Sequence, residues 1–490
     1  MAHMSATTQA ANVSALTHLP LPATDPAIRR AIDEISKRLV ALQTSITGVV
    51  PADPDRADQA AAFHARNAEL RGRATLYPYV GSGFGKGALV QLADGSVKWD
   101  MISGIGVHMF GHSDTRMIEA ALEGALSDLC MQGHIQHNAD VPAISEILIA
   151  QASRTSALRH CFVANSGCMV NEAALKVCQQ KTNAAPRVIA FKDCFMGRST
   201  TMAQLGDSPA YRQGLALNVL VDYMPFYDPL DASASTMKSV AMLRELFARY
   251  PKQHSCFVME LVQGEGGFNV APRAHLAALM MACREAGVPV WVDEIQTFGR
   301  TTEMFAFEAL GLGELIDVVT IGKMAQVCAC LYTEAFNPKP GLLAGTFMAS
   351  TSAFHVGRRA LEIMRDGGYY GRGGRIERMH DAFRAQASAL VARRPDLFPC
   401  VRDERGRDIG ELVGGVGGMM RFTPLGGNKE RISKFLSVLY DEGVIALSCG
   451  HGPFHVRFLP PVGVMEPAHF SEVFAIVERA LDRTIAEEGR

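Results

Sequence analysis

Two side chains define the chemistry open to this chain. Lys323 follows the apolar run Asp317-Val318-Val319-Thr320-Ile321-Gly322, and thirty residues earlier Val290-Trp291-Val292 ends in Asp293-Glu294. β-Branched runs of this length read as buried strands, and in an open α/β sheet ligands gather at the carboxyl ends of strands. The spacing therefore brings an amine and a carboxylate to one crevice. The amine can condense with an aldehyde and the acid can keep a pyridine nitrogen protonated, which are the two needs of pyridoxal 5'-phosphate. Taken alone, a lysine just past a strand is more often a solvated side chain, so the case depends on the other segments.

Asn165-Ser166-Gly167-Cys168-Met169-Val170-Asn171-Glu172 follows another strand and leads into a helix expected over 172–180. Amides at a helix start lack internal partners and bind a phosphate dianion well. Gly167 permits close approach, the Ser166 hydroxyl can donate, and Cys168 contributes chiefly its amide. A plain N-cap at Ser166 is the simpler use of the same residues.

Phe195, in Asp193-Cys194-Phe195-Met196-Gly197-Arg198-Ser199, could stack on a planar heterocycle or serve as core. Glu260-Leu261-Val262-Gln263-Gly264-Glu265-Gly266-Gly267 brings two acids to a strand end, where a flexible turn is the bland reading. Asp293 would raise the proton affinity of a pyridine nitrogen, Gln296 could hydrogen-bond a ring oxygen, and Ile295 could pack opposite Phe195. Arg457, in Val456-Arg457-Phe458-Leu459-Pro460-Pro461, offers the fork that binds a carboxylate, although structural Arg–Asp pairs are commoner.

Two other motifs fail. Gly81-Ser82-Gly83-Phe84-Gly85-Lys86-Gly87 has neither P-loop spacing nor the strand–helix context of a dinucleotide site. His134 and His137 have metal-ligand spacing but no third ligand, so no metal is expected.

The elements that must position these residues alternate. Helical patterns from about 110 to 335 separate short apolar runs at 161–164, 188–191, 256–259, 290–292, 318–320 and 331–332. That alternation predicts an α/β fold with a mostly parallel sheet between helices. Before it come a helix over 27–43, an irregular stretch over 50–86 and a hairpin over 88–99. After it, 350–395 reads as helix, and 410–480 mixes helices with strands near 417–422 and 456–459, a smaller α+β domain. The division is a mobile tail over 1–26, a segment over 27–105 contributing to the small domain, a large domain over 106–360 and a C-terminal small domain over 361–490.

A chain of 490 residues exceeds one small core, and 48% hydrophobic with 20% charged residues is ordinary for a globular protein. A formal charge of −2 gives no electrostatic case for nucleic acid or an anionic membrane. No apolar stretch reaches the ~18 residues of a membrane span. Eleven scattered cysteines and the absence of a signal-peptide pattern predict a cytoplasmic protein. Met1-Ala2-His3-Met4 reads as an expression scar, with the native start near Met4.

In chain order these segments resemble the class III aminotransferases, fold-type I pyridoxal-phosphate enzymes that include ω-amino-acid aminotransferases, from about Tyr77 to Leu481. The resemblance implies a seven-stranded large-domain sheet. It implies a phosphate loop at Ser166, Gly167 and Cys168, a ring-stacking Phe195, a pyridine acid at Asp293 with Ile295 and Gln296 beside the ring, and a Schiff-base lysine at Lys323. Gly345-Thr346-Phe347 is similar to the segment that reaches a neighbouring subunit's phosphate, which implies a homodimer with shared sites. Glu265 and Arg457 match the family's substrate-binding positions, and the resemblance supports a gate in which Glu265 could pair with Arg457 for an ω-amine and swing aside for an oxo acid; a permanent structural salt bridge is the alternative. Gly322-Lys323…Gln326-Val327-Cys328 is similar to lysine 6-aminotransferases.

Departures cluster around the pocket. Met196 replaces a usual polar residue, Leu261 a usual proline, and Met348-Ala349-Ser350 a usual Gly-Gly-Asn, while the loop after Gln296 is one residue shorter. The expected activity is transfer of an amino group from a terminal amine to an oxo acid such as 2-oxoglutarate or pyruvate. Decarboxylation, racemisation or amino-group mutation on the same scaffold is the rival reading, and a nucleotide-binding protein the remote one.

Overall fold

The computed structural model describes residues 22–403 and 405–488. Most of the tail expected over 1–26 lies outside the described residues, and Pro22–Thr24 form a short 3-10 turn before α1 (Pro26–Gln43). The next stretch departs from expectation. Residues 54–71 form a second helix, α2 (Pro54–Arg71), with the Asp53 carboxylate accepting from Asp55 N and Gly72 closing it in a left-handed C-cap. Its apolar residues lack a helical stripe because none is buried, so hydrophobic periodicity could not reveal it. The glycine-rich run is a strand, Gly81–Lys86, paired with Leu89–Leu92.

The central sheet has seven strands: β1 (Leu158–Ala164), β2 (Arg187–Phe191), β3 (Leu220–Met224), β4 (His254–Met259), β5 (Val290–Glu294), β6 (Val318–Ile321) and β7 (Cys328–Thr333). Their spatial order is β1-β7-β6-β5-β4-β2-β3, and β7 alone runs antiparallel to its neighbours. The strand missing from the sequence reading is β3, whose apolar run is interrupted by Asp222. That acid pairs with Arg187 on β2 at 2.5 Å and with His254 on β4 at 3.0 Å. Inner strands are apolar on both faces because both faces are covered: every residue of β4, β5 and β6 is buried. Each large side chain so removed from water stabilises the fold by roughly 1.5–3 kcal/mol.

Helix α3 (Gly167–Lys181) starts five residues before the position expected, directly after Ser166. The region expected as helix over 350–395 is two helices, α4 (Thr351–Asp366) and α5 (Arg375–Arg393), parted by a glycine-rich turn. The C-terminal region carries a four-stranded antiparallel sheet of β8 (Val413–Val416), β9 (Met419–Phe422), β10 (Leu447–Cys449) and β11 (His455–Phe458), in the order β8-β9-β11-β10. Gly417 and Gly418 make the β8–β9 turn rather than a strand. The N-terminal strands join this end of the molecule, since Val97–Asp100 pairs in parallel with Val444–Ile445.

Candidate active site

β5 and β6 run side by side with Thr320 opposite Asp293 and Ile321 opposite Glu294. Asp293 therefore sits at the carboxyl end of β5, and Lys323 lies two residues past β6 on the same rim. Both line a cavity of about 440 Å³ that also takes in Gly167, Cys168, Phe195, Ile295, Gln296 and Glu265. Lys323 has a left-handed backbone, φ 48°, rare for a residue with a Cβ and typical of strain held at functional sites. Burial pulls its amine down to about 8; the Glu265 carboxylate opposes this, Arg457 adds to it, Asp293 opposes and Arg300 adds.

Asp293 is buried and doubly held. Its Oδ1 accepts from Ile295 N at 2.8 Å and its Oδ2 from Asn171 Nδ2 at 2.7 Å. Burial pushes the carboxyl up to about 6, while these two bonds and the Lys323 charge pull it back. Asn171 also donates to Met196 O at 2.8 Å, which ties α3 to the loop carrying Phe195. Glu260 holds that loop from below, accepting from Phe195 N at 3.2 Å and Gly264 N at 3.0 Å. Burial first, and Asp293 second, raise Glu260 to about 8.

The start of α3 points at the same cavity. Ser166 Oγ accepts from Met169 N at 3.2 Å, so the cap reading holds for the hydroxyl. The amides of Gly167 and Cys168 precede the first intrahelical bonds. A Cβ at Gly167 would meet Ile295 Cγ2 at 3.1 Å. Cys168 Sγ accepts from Ser199 N at 2.9 Å, which fastens the far end of the Phe195 loop. Gln296 is buried, and among the described residues its Oε1 has no hydrogen-bond partner, nor has Asn171 Oδ1.

Arg457 rises from β11 with 3% of its surface exposed and meets Glu265 through two bonds, Nη1–Oε1 at 2.6 Å and Nη2–Oε2 at 3.1 Å. Thr346 is not brought to this cavity; it lies exposed beside Phe347, its carbonyl packed close to Gly133. Several lining residues carried no assigned role in the sequence reading: Asn171, Arg198, Val107, Gln326 and Cys328; Glu260 was placed at the crevice as one of two strand-end acids, without a specific role. Asn171 was recoverable, because it falls four residues after Gly167 and so on the face of α3 that begins at the helix start.

The sequence profile of the family Aminotransferase class-III matches residues 79–481. The chain belongs to the class III aminotransferases. Among relatives, this aminotransferase is 28% identical over 412 residues to a LysW-aminoadipate semialdehyde transaminase of Deinococcus radiodurans, a span of 83% of this chain and 87% of the relative. It is 25% identical over 413 residues to a diaminobutyrate–2-oxoglutarate transaminase of Wolinella succinogenes, covering 82% and 91%. The fold matches a lysine aminotransferase of M. tuberculosis solved in the internal aldimine form, with a TM-score of 0.72 at 22% identity over 86% of this chain and 99% of that one.

Class III aminotransferases use pyridoxal 5'-phosphate. The residues present fit it. Gln296 Oε1 and Asn171 Oδ1, unpartnered among the described residues, belong to side chains that line the cavity, the glycine at 167 leaves a helix start open to an anion, and a buried acid and an amine lowered by burial line the same cavity.

Proposed function

We propose that this aminotransferase takes the terminal amino group of a substrate whose far end bears a carboxylate, and passes it to an oxo acid such as 2-oxoglutarate or pyruvate. The observation that carries this reading is the Glu265–Arg457 pair. A bare, buried Arg457 would favour a substrate with a carboxylate beside the reacting carbon and leave a desolvated charge facing one without it. Neutralised by Glu265, the same wall accepts a terminal amine. Arg198 supports the other end: it lines the cavity with its guanidinium 3.8 Å from the Tyr211 ring centroid, and among the described residues it makes no ion pair. Relatives named for aminoadipate semialdehyde, diaminobutyrate and acetylornithine fit such a substrate class.

When bound, the cofactor supplies an aldehyde carbon for amines and a protonated ring that accepts the electron pair left at a deprotonated carbon. The chain's own residues do the rest. Lys323 Nζ would hold the cofactor and, once free of it, would take the proton from the amine-bearing carbon and return one as general base and acid. Asp293 keeps the ring nitrogen protonated through its opposite charge, and Asn171 and Ile295 N keep that acid aimed. The amides of Gly167 and Cys168 would take the phosphate, with Ser166 as the cap that presents them, and Phe195, Ile295 and Gln296, which line the same cavity, would hold the ring.

The proposed assembly is a homodimer in which Thr346 of each subunit completes the other's phosphate site. Its support is an exposed apolar surface around that segment, with Ile135 fully exposed, Phe347 56% and Met131 39% exposed, and with Met169 at 48% beside the phosphate loop. No helix among the described residues is long and apolar enough to cross a membrane, and all eleven cysteines are free, which favours a reducing compartment. The test is a panel of single-turnover reactions. Lysine, ornithine and 2,4-diaminobutyrate should each convert the cofactor faster than glutamate converts it in a Glu265-intact enzyme. Reaction with α-amines alone would overturn the reading.

A further inference from the structure

Arg300 is fully buried, and among the described residues no carboxylate pairs with it. Its Nε has no hydrogen-bond partner there either. A charge in that position is costly unless its geometry serves something. Its partners are backbone carbonyls from two distant parts of the chain: Nη2 donates to Gly106 O and Nη1 to Gly418 O at 3.4 Å. Its own backbone completes the junction, with N donating to Thr297 O at 2.9 Å and O accepting from Gly418 N at 2.7 Å.

Both contacted segments are shaped around it. Ser103, Gly104, Ile105 and Gly106 form four consecutive left-handed residues, φ 48°, 65°, 64° and 76°, two of them carrying a Cβ. Such a run is strained at each residue that carries a side chain, because its Cβ crowds the following carbonyl. A Cβ at Gly106 would stand 2.5 Å from Arg300 Nη2, and one at Gly417 would stand 1.9 Å from Arg300 O. The strained turn leads straight into Val107, which lines the cavity and whose carbonyl accepts from Gln326 Nε2 beside Lys323. The Gly417-Gly418 turn begins β9, whose Arg421 lies opposite Arg457 on β11.

We propose that Arg300 is a positioning residue of this active site: a buried charged tie that fixes the Val107 wall and the Arg457-bearing sheet relative to the rim that carries Asp293 and Lys323. The role rests on Lys323 being the reacting amine. Burial draws Arg300 down to about 9, so it remains a cation at neutral pH, and its charge is one of those that disfavour a proton on Lys323. The other charged groups facing Lys323 are Glu265, Arg457 and Asp293.

Two substitutions in the holoenzyme separate position from charge. Arg300→Met removes both, whereas Arg300→Gln removes the charge and keeps one amide donor for a carbonyl. The pH midpoint of the holoenzyme's visible absorbance should rise in both variants by about 0.5–1 unit, because a nearby cation no longer opposes protonation at Lys323. KM for both substrates should rise about tenfold or more in Arg300→Met, and less in Arg300→Gln, with kcat falling less than KM rises. If Arg300→Met fails to fold, Arg300→Gln alone still reads both quantities. A lowered melting temperature with the midpoint unmoved and both KM values within twofold of the parent would overturn the proposal. Borohydride reduction with peptide mapping, run on the same variants, keeps the two ideas apart. Cofactor fixed at another residue would overturn the Lys323 assignment, and cofactor fixed at Lys323 with unmoved titration and KM would overturn the role of Arg300 alone.

Discussion

Arg457 and Glu265, 192 residues apart in sequence, meet in a two-pronged ion pair at 2.6 and 3.1 Å, and Glu265 lines the cavity that holds Lys323. The Glu265 backbone is pinned, its carbonyl accepting from Gly450 N at 2.9 Å, so any release of Arg457 must come from rotation of the side chain. Removing one partner of a buried pair costs on the order of 3–5 kcal/mol, about 10²–10⁴ in rate where the charge is needed. Arg457→Ala should therefore slow the oxo-acid half-reaction by that factor and the terminal-amine half-reaction by far less. Glu265→Ala should slow the terminal-amine half and speed reaction with glutamate. Stopped-flow absorbance of each half-reaction reads both, and equal losses in both halves would mark the pair as a fixed structural bridge.

Asp293→Asn should lower kcat by on the order of 10²–10³, the usual loss when a preorganised charge is removed from a reacting centre. The apoenzyme should respond the other way. The Asp293 carboxyl is raised from 3.8 to about 6 in the fold, so below pH 4 it is protonated in both folded and unfolded chains and carries no penalty. The penalty grows as pH rises through 4 to 6 and is complete above it. Removing the charge should stabilise the apoenzyme at pH 7.5 by about 1–3 kcal/mol and change little at pH 4. Thermal unfolding at the two pH values measures the difference.

Lys323 carries a pH signature of its own. Its amine is lowered from 10.5 to about 8, and below that value it is protonated and unable to attack an aldehyde. The rate at which apoenzyme captures pyridoxal 5'-phosphate should rise with pH and level off above about 8, rather than climbing toward 10.5. Mixing experiments followed in the visible across pH 6–10 provide the profile.

Dimerisation should track cofactor retention. Thr346→Ala should weaken phosphate binding several-fold while leaving each Lys323 in place, and dilution to monomers should release cofactor. Sedimentation at falling concentration, with absorbance at the cofactor band, would show the two together. A monomer that retains cofactor and full activity would contradict the shared-site reading.

The sequence exposed the parts of this fold that follow a simple period and hid those that do not. The strands ending at Asp293 and before Lys323 were legible because burial on both faces makes them continuously apolar. β3 escaped because Asp222 breaks its run, an acid satisfied by Arg187 and His254 on the two strands beyond it. α2 escaped because an exposed helix needs no apolar stripe. The start of α3 was placed too late because Gly167 and Cys168 are poor helix formers, and the Ser166 cap and the cavity set the boundary instead. Lys323, Asp293, Glu265 and Arg457 announced themselves by type. Asn171 and Arg300 did not, and Glu260 did so only as a strand-end acid, since the partners of each are backbone groups or a second side chain that only the folded chain brings near.

The central claim is that Lys323 is the amine that holds the cofactor, and one measurement tests it directly. Holoenzyme reduced with borohydride and digested should yield a single cofactor-labelled peptide, the one containing Lys323, and Lys323→Ala treated identically should yield none. Label on another lysine, or covalent label persisting in Lys323→Ala, would contradict the account.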